Sequence, residues 1–186
     1  MIFASDLDQT LIYSKKHIPD DSSDIINIEK KDDEEISYIT LKSIGLLKYI
    51  LNNIYFIPVT TRTIEQYKRI SLFSEILKPK YAITDNGAVI LVDGEIDKEW
   101  ESIIKQKMKD NDIYNMFSII NEKVIEVYSK EIFRINRICD DYFILFVANN
   151  QLEFDDKYEK LKNKLKDCGW KLCIQGRKLY AIPAPA

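Results

Sequence analysis

Short apolar runs alternate with helical patterns over the first half of the chain. Four runs rich in apolar and β-branched residues predict strands, at residues 2–5, 55–59, 81–84 and 89–92. The first run carries no charge before Asp6, which is typical of a buried strand. Apolar side chains at every third or fourth position predict helices over residues 40–53 and 64–73. Strands and helices that alternate in this way favour an α/β unit with parallel strands.

Residues 14–37 lack such a pattern. They are rich in Lys, Asp, Glu and Ser, with one Pro and few periodic apolar positions. We therefore predict a long exposed loop or flap, whose one regular element is a short strand over residues 36–39. Loops of this length in compact domains are usually functional or disordered.

The second half of the chain has a different pattern. It predicts helices over residues 98–109 and 155–168, and strands over residues 124–128, 133–138, 142–148, 170–175 and 179–182. A tight turn at Gly176 and Arg177 joins the last two strands, and neighbouring strands linked by short turns indicate an antiparallel sheet. We therefore predict two domains, an α/β domain over residues 1–91 and an α+β domain over residues 92–183.

Composition narrows the class of protein. Of the 186 residues, 46% are hydrophobic and 31% are charged, which indicates a folded globular chain. The net charge of -3 gives no support for a nucleic-acid or membrane surface, so we expect any phosphate binding to be local. We expect a cytoplasmic protein, because the chain has neither a signal-peptide pattern nor the about 20 apolar residues of a membrane span. Cys139, Cys168 and Cys173 lack zinc-site spacing and are expected to be buried free thiols.

Two carboxylates follow the first predicted strand. In extended backbone Asp6 and Asp8 face the same side, at the carboxyl end of a parallel sheet, where α/β proteins bind ligands. Such a pair can hold Mg²⁺, attack phosphorus through one carboxylate and donate a proton to the leaving group through the other. The hydroxyl of Thr10 can support the turn. An ordinary Asp-rich turn is an alternative; a calcium loop is not, because it needs Gly and Glu where this chain has Leu11 and His17.

A second polar group follows the predicted strand at residues 55–59. The hydroxyl of Thr60 and the backbone N–H groups after it, beginning with Thr61, can hold a phosphate oxygen. Arg62 can add a charge-assisted contact. The alternative is that these residues only begin a helix, and we assign Thr63 to that role as its N-cap.

Three segments resemble motifs of the haloacid dehalogenase (HAD) superfamily. Residues 2–11, IFASDLDQTL, resemble its first motif, and residues 58–62, PVTTR, resemble its second. Residues 83–88, ITDNGA, resemble the strand and turn that follow in the subgroup with a large α+β cap, which includes sucrose-phosphatase and mannosyl-phosphoglycerate phosphatase. The three segments occur in the order that the superfamily has.

This resemblance implies a fold and an activity. The fold is a Rossmann-like parallel-sheet core over residues 1–91, incomplete at the C-terminus, with an inserted α+β cap over residues 92–183 and a return to the core at residues 184–186. The activity is Mg²⁺-dependent hydrolysis of a phosphorylated sugar or similar small metabolite through an aspartyl-phosphate. We expect the cap to move as a unit, because phosphoryl transfer requires the exclusion of water.

The resemblance also implies roles for individual residues. Asp6 would be the nucleophile and a Mg²⁺ ligand. Asp8 would be the general acid and base, and its backbone carbonyl would also bind the metal. Thr60 would bind the transferring phosphoryl group, and Asn86 and Gly87 would lie near the substrate.

The chain departs from the family after the predicted cap. The family has a lysine that neutralises the phosphoryl and aspartate charges, and then an acidic motif, often Gly-Asp-x-x-x-Asp, that completes the magnesium site. Residues 183–186, PAPA, contain neither. We therefore expect weak Mg²⁺ binding and little turnover. The chain would then be either a truncated phosphatase or a shortened, non-catalytic member that binds a ligand.

Overall fold

The computed structural model describes residues 1–18, 24–109 and 112–184. Two compact units make up the chain, Met1–Glu101 and Ser102–Ala186. No helix in the described ranges is both long enough and apolar enough to cross a membrane. The core-and-cap boundary expected between residues 91 and 92 stays a prediction.

The regular elements follow in chain order. The strands are β1 (Ile2–Asp6), β2 (Tyr13–Ser14), β3 (Ile25–Lys31), β4 (Glu34–Thr40), β5 (Tyr55–Val59), β6 (Tyr81–Thr84), β7 (Val89–Val92), β8 (Glu95–Ile96), β9 (Phe133–Cys139), β10 (Phe143–Ala148), β11 (Trp170–Gln175) and β12 (Lys178–Pro183). The α-helices are α1 (Leu41–Asn53), α2 (Ile64–Lys68), α3 (Lys98–Met108), α4 (Ile113–Tyr128) and α5 (Asp156–Lys166).

The main sheet of the first unit has the order β1-β5-β6-β7-β8. Strands β1, β5 and β6 are parallel, β7 pairs antiparallel with β6, and β8 pairs antiparallel with β7. Helix α1 begins after Thr40, whose side chain accepts a hydrogen bond from the backbone N–H of Ser43. The predicted alternation of parallel strands and helices is therefore confirmed.

Strand β1 lies at an edge of this sheet, and its only strand partner in the described ranges is β5. The expectation of a buried first strand is wrong, because Ile2 is 64% exposed and Phe3 is also exposed. An apolar run predicts a strand, but its burial depends on neighbours that the run does not specify.

The expected loop over residues 14–37 is instead mostly a sheet, in the order β2-β4-β3. Strands β3 and β4 form a hairpin whose turn residues, Asp32 and Asp33, have φ values of 51° and 63°. Asp tolerates this left-handed conformation better than most residues, and two such residues form the turn that suits a tight hairpin. The predicted strand over residues 36–39 lies within β4, whereas residues 19–23 of the expected loop lie outside the described ranges.

The second predicted helix is shorter than expected. Helix α2 ends at Lys68, and a separate π-helical turn covers Leu72–Ile76. Thr63 is the N-cap of α2 and forms a reciprocal capping box with Gln66, as predicted for Thr63.

The second unit contains an antiparallel sheet in the order β11-β12-β10-β9, which confirms the predicted sheet type. The strand predicted over residues 124–128 is wrong, because these residues end helix α4. Ile113, Ile120, Val124 and Tyr128 are its buried residues, and their spacing of seven, four and four keeps them on one helical face.

The three cysteines differ in burial. Cys139 is buried, as expected, but Cys168 and Cys173 are exposed. Cys173 lies in β11, where buried and exposed residues alternate, so its neighbours Leu172 and Ile174 face the core instead.

Candidate active site

Three parallel strands bring their carboxyl ends to one edge of the main sheet. Strand β1 ends at Asp6, opposite Val59, the last residue of β5. Val59 is in turn opposite Ile83 of β6. The loops that follow these strands therefore lie side by side, at the edge where open α/β sheets bind ligands.

A cleft of about 450 Å³ lies at this edge. It is lined by Ala4, Ser5, Asp6, Val59, Thr60, Thr61, Asn86 and Gly87. Five of the predicted site residues are in this set. The other three, Asp8, Thr10 and Arg62, do not line the cleft and are held by contacts beside it.

A tight loop after β1 positions Asp6. The carbonyl of the buried Leu7 accepts hydrogen bonds from three later backbone N–H groups, those of Thr10, Leu11 and Ile12. This returns Thr10 toward Asp6, and its Oγ1 donates to Asp6 Oδ2 at 3.3 Å. Asp6 itself is exposed, so its carboxylate is accessible to a ligand in the cleft.

Thr60 is buried at the floor of the site. Its backbone N–H donates to Ile83 O at 2.9 Å, which ties the end of β5 to β6. Its Oγ1 accepts a hydrogen bond from the backbone N–H of Arg62 at 3.1 Å. The hydroxyl hydrogen of Thr60 therefore remains available to donate to a bound anion.

The turn after β6 supplies a further donor. Asp85, Asn86 and Gly87 all have positive φ, and the value of 92° at Gly87 suits a residue without a Cβ. Trp100 Nε1 donates to the Gly87 carbonyl at 3.1 Å and fixes the turn. The side-chain Nδ2 of Asn86 is buried without a hydrogen-bond partner in the described part of the chain. A buried donor without a partner is costly, which is consistent with a ligand contact.

Asp8 and Arg62 form a bidentate ion pair. Arg62 Nε donates to Asp8 Oδ2 at 2.9 Å, and Arg62 Nη2 donates to Asp8 Oδ1 at 2.8 Å. The third guanidinium nitrogen, Nη1, donates to Glu29 Oε2 at 2.8 Å. Burial opposes the charge of Arg62, but hydrogen bonds and charges from Asp8 and Glu29 outweigh it, so the pKa of Arg62 lies above its ordinary value. Arg62 thus contacts two carboxylates, where the sequence predicted a phosphate contact.

Sequence reasoning missed Glu29 altogether. It lies in the segment expected to be an exposed loop, yet its side chain has no exposed surface. One indication was present in the sequence, since Glu29 follows Ile25, Ile26 and Ile28 and is a charge inside an apolar run. That pattern alone does not distinguish a buried charge from an exposed one.

The side chains at the cleft can be compared with the ligands that the implied Mg²⁺ ion would need. The described ranges contain no group of three or more His, Cys, Asp or Glu side chains able to hold a metal. Asp6 is the one carboxylate among the residues that line the cleft. Proteins bind Mg²⁺ through one or two carboxylates, with waters and substrate phosphates as the other ligands. The residues therefore fit a Mg²⁺ ion that shares its coordination with phosphate, rather than an all-protein cage.

The family model for sucrose-6F-phosphate phosphohydrolase matches residues 1–127, which is more than half of the chain. The chain belongs to this family. The match confirms the resemblance of its motifs to those of HAD-superfamily phosphatases. No curated protein sequence matches the chain.

Solved structures agree with this assignment at the level of the fold. Sucrose-phosphatase from Synechocystis sp. PCC6803, in complex with sucrose and phosphate, is 15% identical with a TM-score of 0.56; the match covers 76% of this chain and 57% of that chain. An IMP-bound mutant of Plasmodium falciparum IMP-nucleotidase is 14% identical with a TM-score of 0.56, over 85% of this chain and 50% of that chain. The matches thus span 50–57% of the length of these relatives. They confirm the predicted Rossmann-like HAD fold.

Proposed function

We propose that this protein is a Mg²⁺-dependent phosphatase that hydrolyses a phosphorylated sugar or similar small metabolite through an aspartyl-phosphate. The observation that carries the proposal is one cleft that is lined by Asp6 together with Thr60 and Asn86. A nucleophile and neutral donors at one sheet edge are what the transfer of a phosphoryl group requires.

In the first step, a carboxylate oxygen of Asp6 attacks phosphorus as the bond from phosphorus to the leaving oxygen breaks. Asp8 donates a proton to that oxygen, and the alcohol departs. Arg62 occupies one lone pair on each Asp8 oxygen. A carboxylate oxygen has a second lone pair, so hydrogen bonding to Arg62 does not by itself prevent proton transfer at Asp8.

In the second step, water attacks the phosphorus of the aspartyl-phosphate while Asp8 accepts its proton. The acyl-phosphate bond breaks, inorganic phosphate leaves, and Asp6 is regenerated. Thr60 and Asn86 would hold the phosphoryl oxygens in both steps. Mg²⁺, held by the Asp6 carboxylate and the Asp8 backbone carbonyl, would offset part of the negative charge that Asp6 and the phosphate bring together.

A second candidate function is the binding of a phosphorylated ligand without turnover. It is favoured by the single carboxylate among the cleft-lining residues and by the lack of a metal-holding cluster in the described ranges. A site of this kind can hold a phosphate through neutral donors but has little charge with which to hold Mg²⁺.

One assay separates these functions. Phosphate release is measured from sugar phosphates and nucleoside monophosphates, with Mg²⁺ and with a chelator, while calorimetry measures binding of the same compounds. We expect slow release that depends on Mg²⁺ and is lost on chelation without loss of the folded state. Binding without release at any Mg²⁺ concentration would support the second function. If the protein neither binds these compounds nor releases phosphate from them, both proposed functions are overturned.

We further propose that residues 92–183 act as a mobile cap that selects the substrate. The support is that Ser102–Ala186 is a compact unit with its own sheet and its own apolar core. Spin labels placed in the two units should show a distance distribution that narrows when a phosphate analogue binds. An unchanged distribution would contradict the cap role.

A further inference from the structure

We propose that Glu29 is a positioning residue that fixes Arg62 and, through Arg62, the Asp8 carboxylate. The inference rests on the proposed phosphatase function. It assigns the β3–β4 hairpin to the catalytic apparatus, although Glu29 does not line the cleft.

The Glu29 carboxylate is enclosed by donors from three side chains. Its Oε2 accepts from Ser37 Oγ at 2.6 Å and from Arg62 Nη1 at 2.8 Å. Its Oε1 accepts from Arg69 Nε at 3.0 Å and from Arg69 Nη2 at 2.9 Å. Both oxygens are thus saturated by short hydrogen bonds, and two of the three donors are charged.

Arg62 joins this carboxylate to Asp8. Its planar guanidinium contacts Asp8 along one edge and Glu29 through Nη1, and Nη2 also lies 3.3 Å from Ser37 Oγ. A planar guanidinium group that is hydrogen-bonded to carboxylates on two sides is held in one orientation. The Asp8 side chain is 40% exposed, whereas that of Arg62 is 10% exposed. The buried guanidinium therefore fixes the exposed carboxylate, and Glu29 fixes the guanidinium.

A bulge in β3 explains how Glu29 reaches this position. Successive strand residues normally face opposite sides, yet Ile28 and Glu29 are both buried. The register of β3 against β4 shifts on either side of Glu29, and bulges of this kind redirect a side chain. Asn27 Nδ2 holds the bulge by donating to the carbonyls of Glu29 and Ser37, each at 3.0 Å. Ser71 Oγ donates to the Ile28 carbonyl at 3.0 Å, which attaches the bulge to the segment after α2.

Asp8, Glu29, Arg62 and Arg69 form a cluster of ion pairs whose charges balance. The two positive charges of Arg62 and Arg69 are matched by the two negative charges of Asp8 and Glu29, so these four side chains together carry no net charge. Without the Glu29 charge, Arg62 would lose its second anchor, and Asp8 would be the one carboxylate left to offset the charges of Arg62 and Arg69 within this cluster. Asp8 would then sample several orientations, and few of them would suit proton transfer to a leaving oxygen.

The first test compares Glu29→Gln with a matched control in the same hairpin. Glu35→Gln is that control, since Glu35 is exposed and contacts Tyr38 rather than the cluster. We expect Glu29→Gln to lower kcat by about 10- to 100-fold, because small misplacements of reacting groups have effects of this size. KM should change by less than about threefold, because Glu29 lies outside the cleft. Glu35→Gln should match the wild type in both constants.

A double-mutant cycle distinguishes positioning from a general structural role. If Glu29 acts through Arg62, Glu29→Gln should lower kcat little further in an Arg62→Lys background. Independent, multiplicative losses would overturn the proposal. So would a Glu29→Gln protein that is merely less stable but keeps its kcat per folded molecule.

A readout without turnover keeps the inference separate from the proposed activity. In ¹H–¹⁵N spectra, the Arg62 Nε–H should be protected from solvent exchange in the wild type, because it donates to Asp8. Glu29→Gln should abolish that protection, and Glu35→Gln should preserve it. If the wild type hydrolyses no phosphate monoester, the proposed activity fails while this measurement still decides whether Glu29 fixes Arg62. Unchanged protection in folded Glu29→Gln would overturn the positioning role.

Discussion

The two units differ in what they bury. Every buried polar or charged residue in the described ranges belongs to the first unit: Glu29, Ser37, Thr60, Thr63, Thr84 and Asp85. The second unit instead packs α4, α5 and its sheet around an apolar cluster that includes Ile120, Leu161 and Trp170. In the second unit, all six residues of strand β10 are buried and apolar.

The buried polar residues lie in the unit that carries the candidate site, and this apolar cluster lies in the other unit. Burying a polar group costs free energy unless it is fully hydrogen-bonded, so a chain selected only for stability would bury few of them. The first unit concentrates such groups around the carboxyl ends of β1, β5 and β6, and at the hairpin bulge. We therefore expect substitutions in the first unit's polar cluster to affect chemistry, and substitutions in the second unit's core to affect stability.

The largest effect should come from Asp6→Asn. The substitution keeps size and hydrogen bonding but removes the nucleophilic carboxylate, so turnover should fall by about 10³-fold or more. Phosphate release in the presence of Mg²⁺ measures it. Asp32→Asn is the matched control, because Asp32 is exposed in the hairpin turn and Asn also tolerates its positive φ. Retained turnover in Asp6→Asn would remove Asp6 as the nucleophile.

Substitutions in the apolar core of the second unit should instead lower the free energy of unfolding. Leu161→Ala removes a fully buried side chain of α5 and should lower the free energy of unfolding by about 2–5 kcal/mol. Leu46→Ala, at a residue 57% exposed on α1, should change it by less than about 0.5 kcal/mol.

Tryptophan fluorescence measures this difference. The chain has two tryptophans, and Trp100→Phe leaves the buried Trp170 to report unfolding of the second unit in urea. Equal urea midpoints for the two leucine variants would show that the apolar cluster does not stabilise this unit.

Local patterns predicted the parts of the fold that depend on short stretches of chain. Helix α1, strands β5 and β6 and the β11–β12 hairpin follow from periodicity and turn residues, and Thr63 follows from capping preferences. Helix α4 was mistaken in part for a strand because its last turns are rich in β-branched residues, which also suit strands. The N-terminal Asp112 cap and the long apolar face favour the helix instead.

The site was predictable only where it adjoins a strand end. Asp6, Thr60 and Asn86 follow three predicted strands, so their meeting at one sheet edge follows from parallel topology. Strand topology alone could not predict that Glu29 and Arg69 join the cluster of ion pairs around Asp8. Their contacts span 33 and 40 positions in sequence and depend on a bulge, which no periodic pattern encodes.

The smallest effect should concern the two sheets' edges. Within the described ranges, strand β1 pairs with a strand on one side only, has the exposed Ile2 and carries no charge before Asp6, whereas the edge strand β9 carries Arg134 and Arg137. Charges on an edge oppose pairing with another chain, and apolar edges favour it. We expect the protein to associate at high concentration through β1, so Ile2→Lys should weaken association by about tenfold. Ile135→Lys, at an exposed residue of β9, should leave it unchanged. Sedimentation velocity over a range of concentrations measures both variants, and equal effects would show that edge charge does not decide which strand associates.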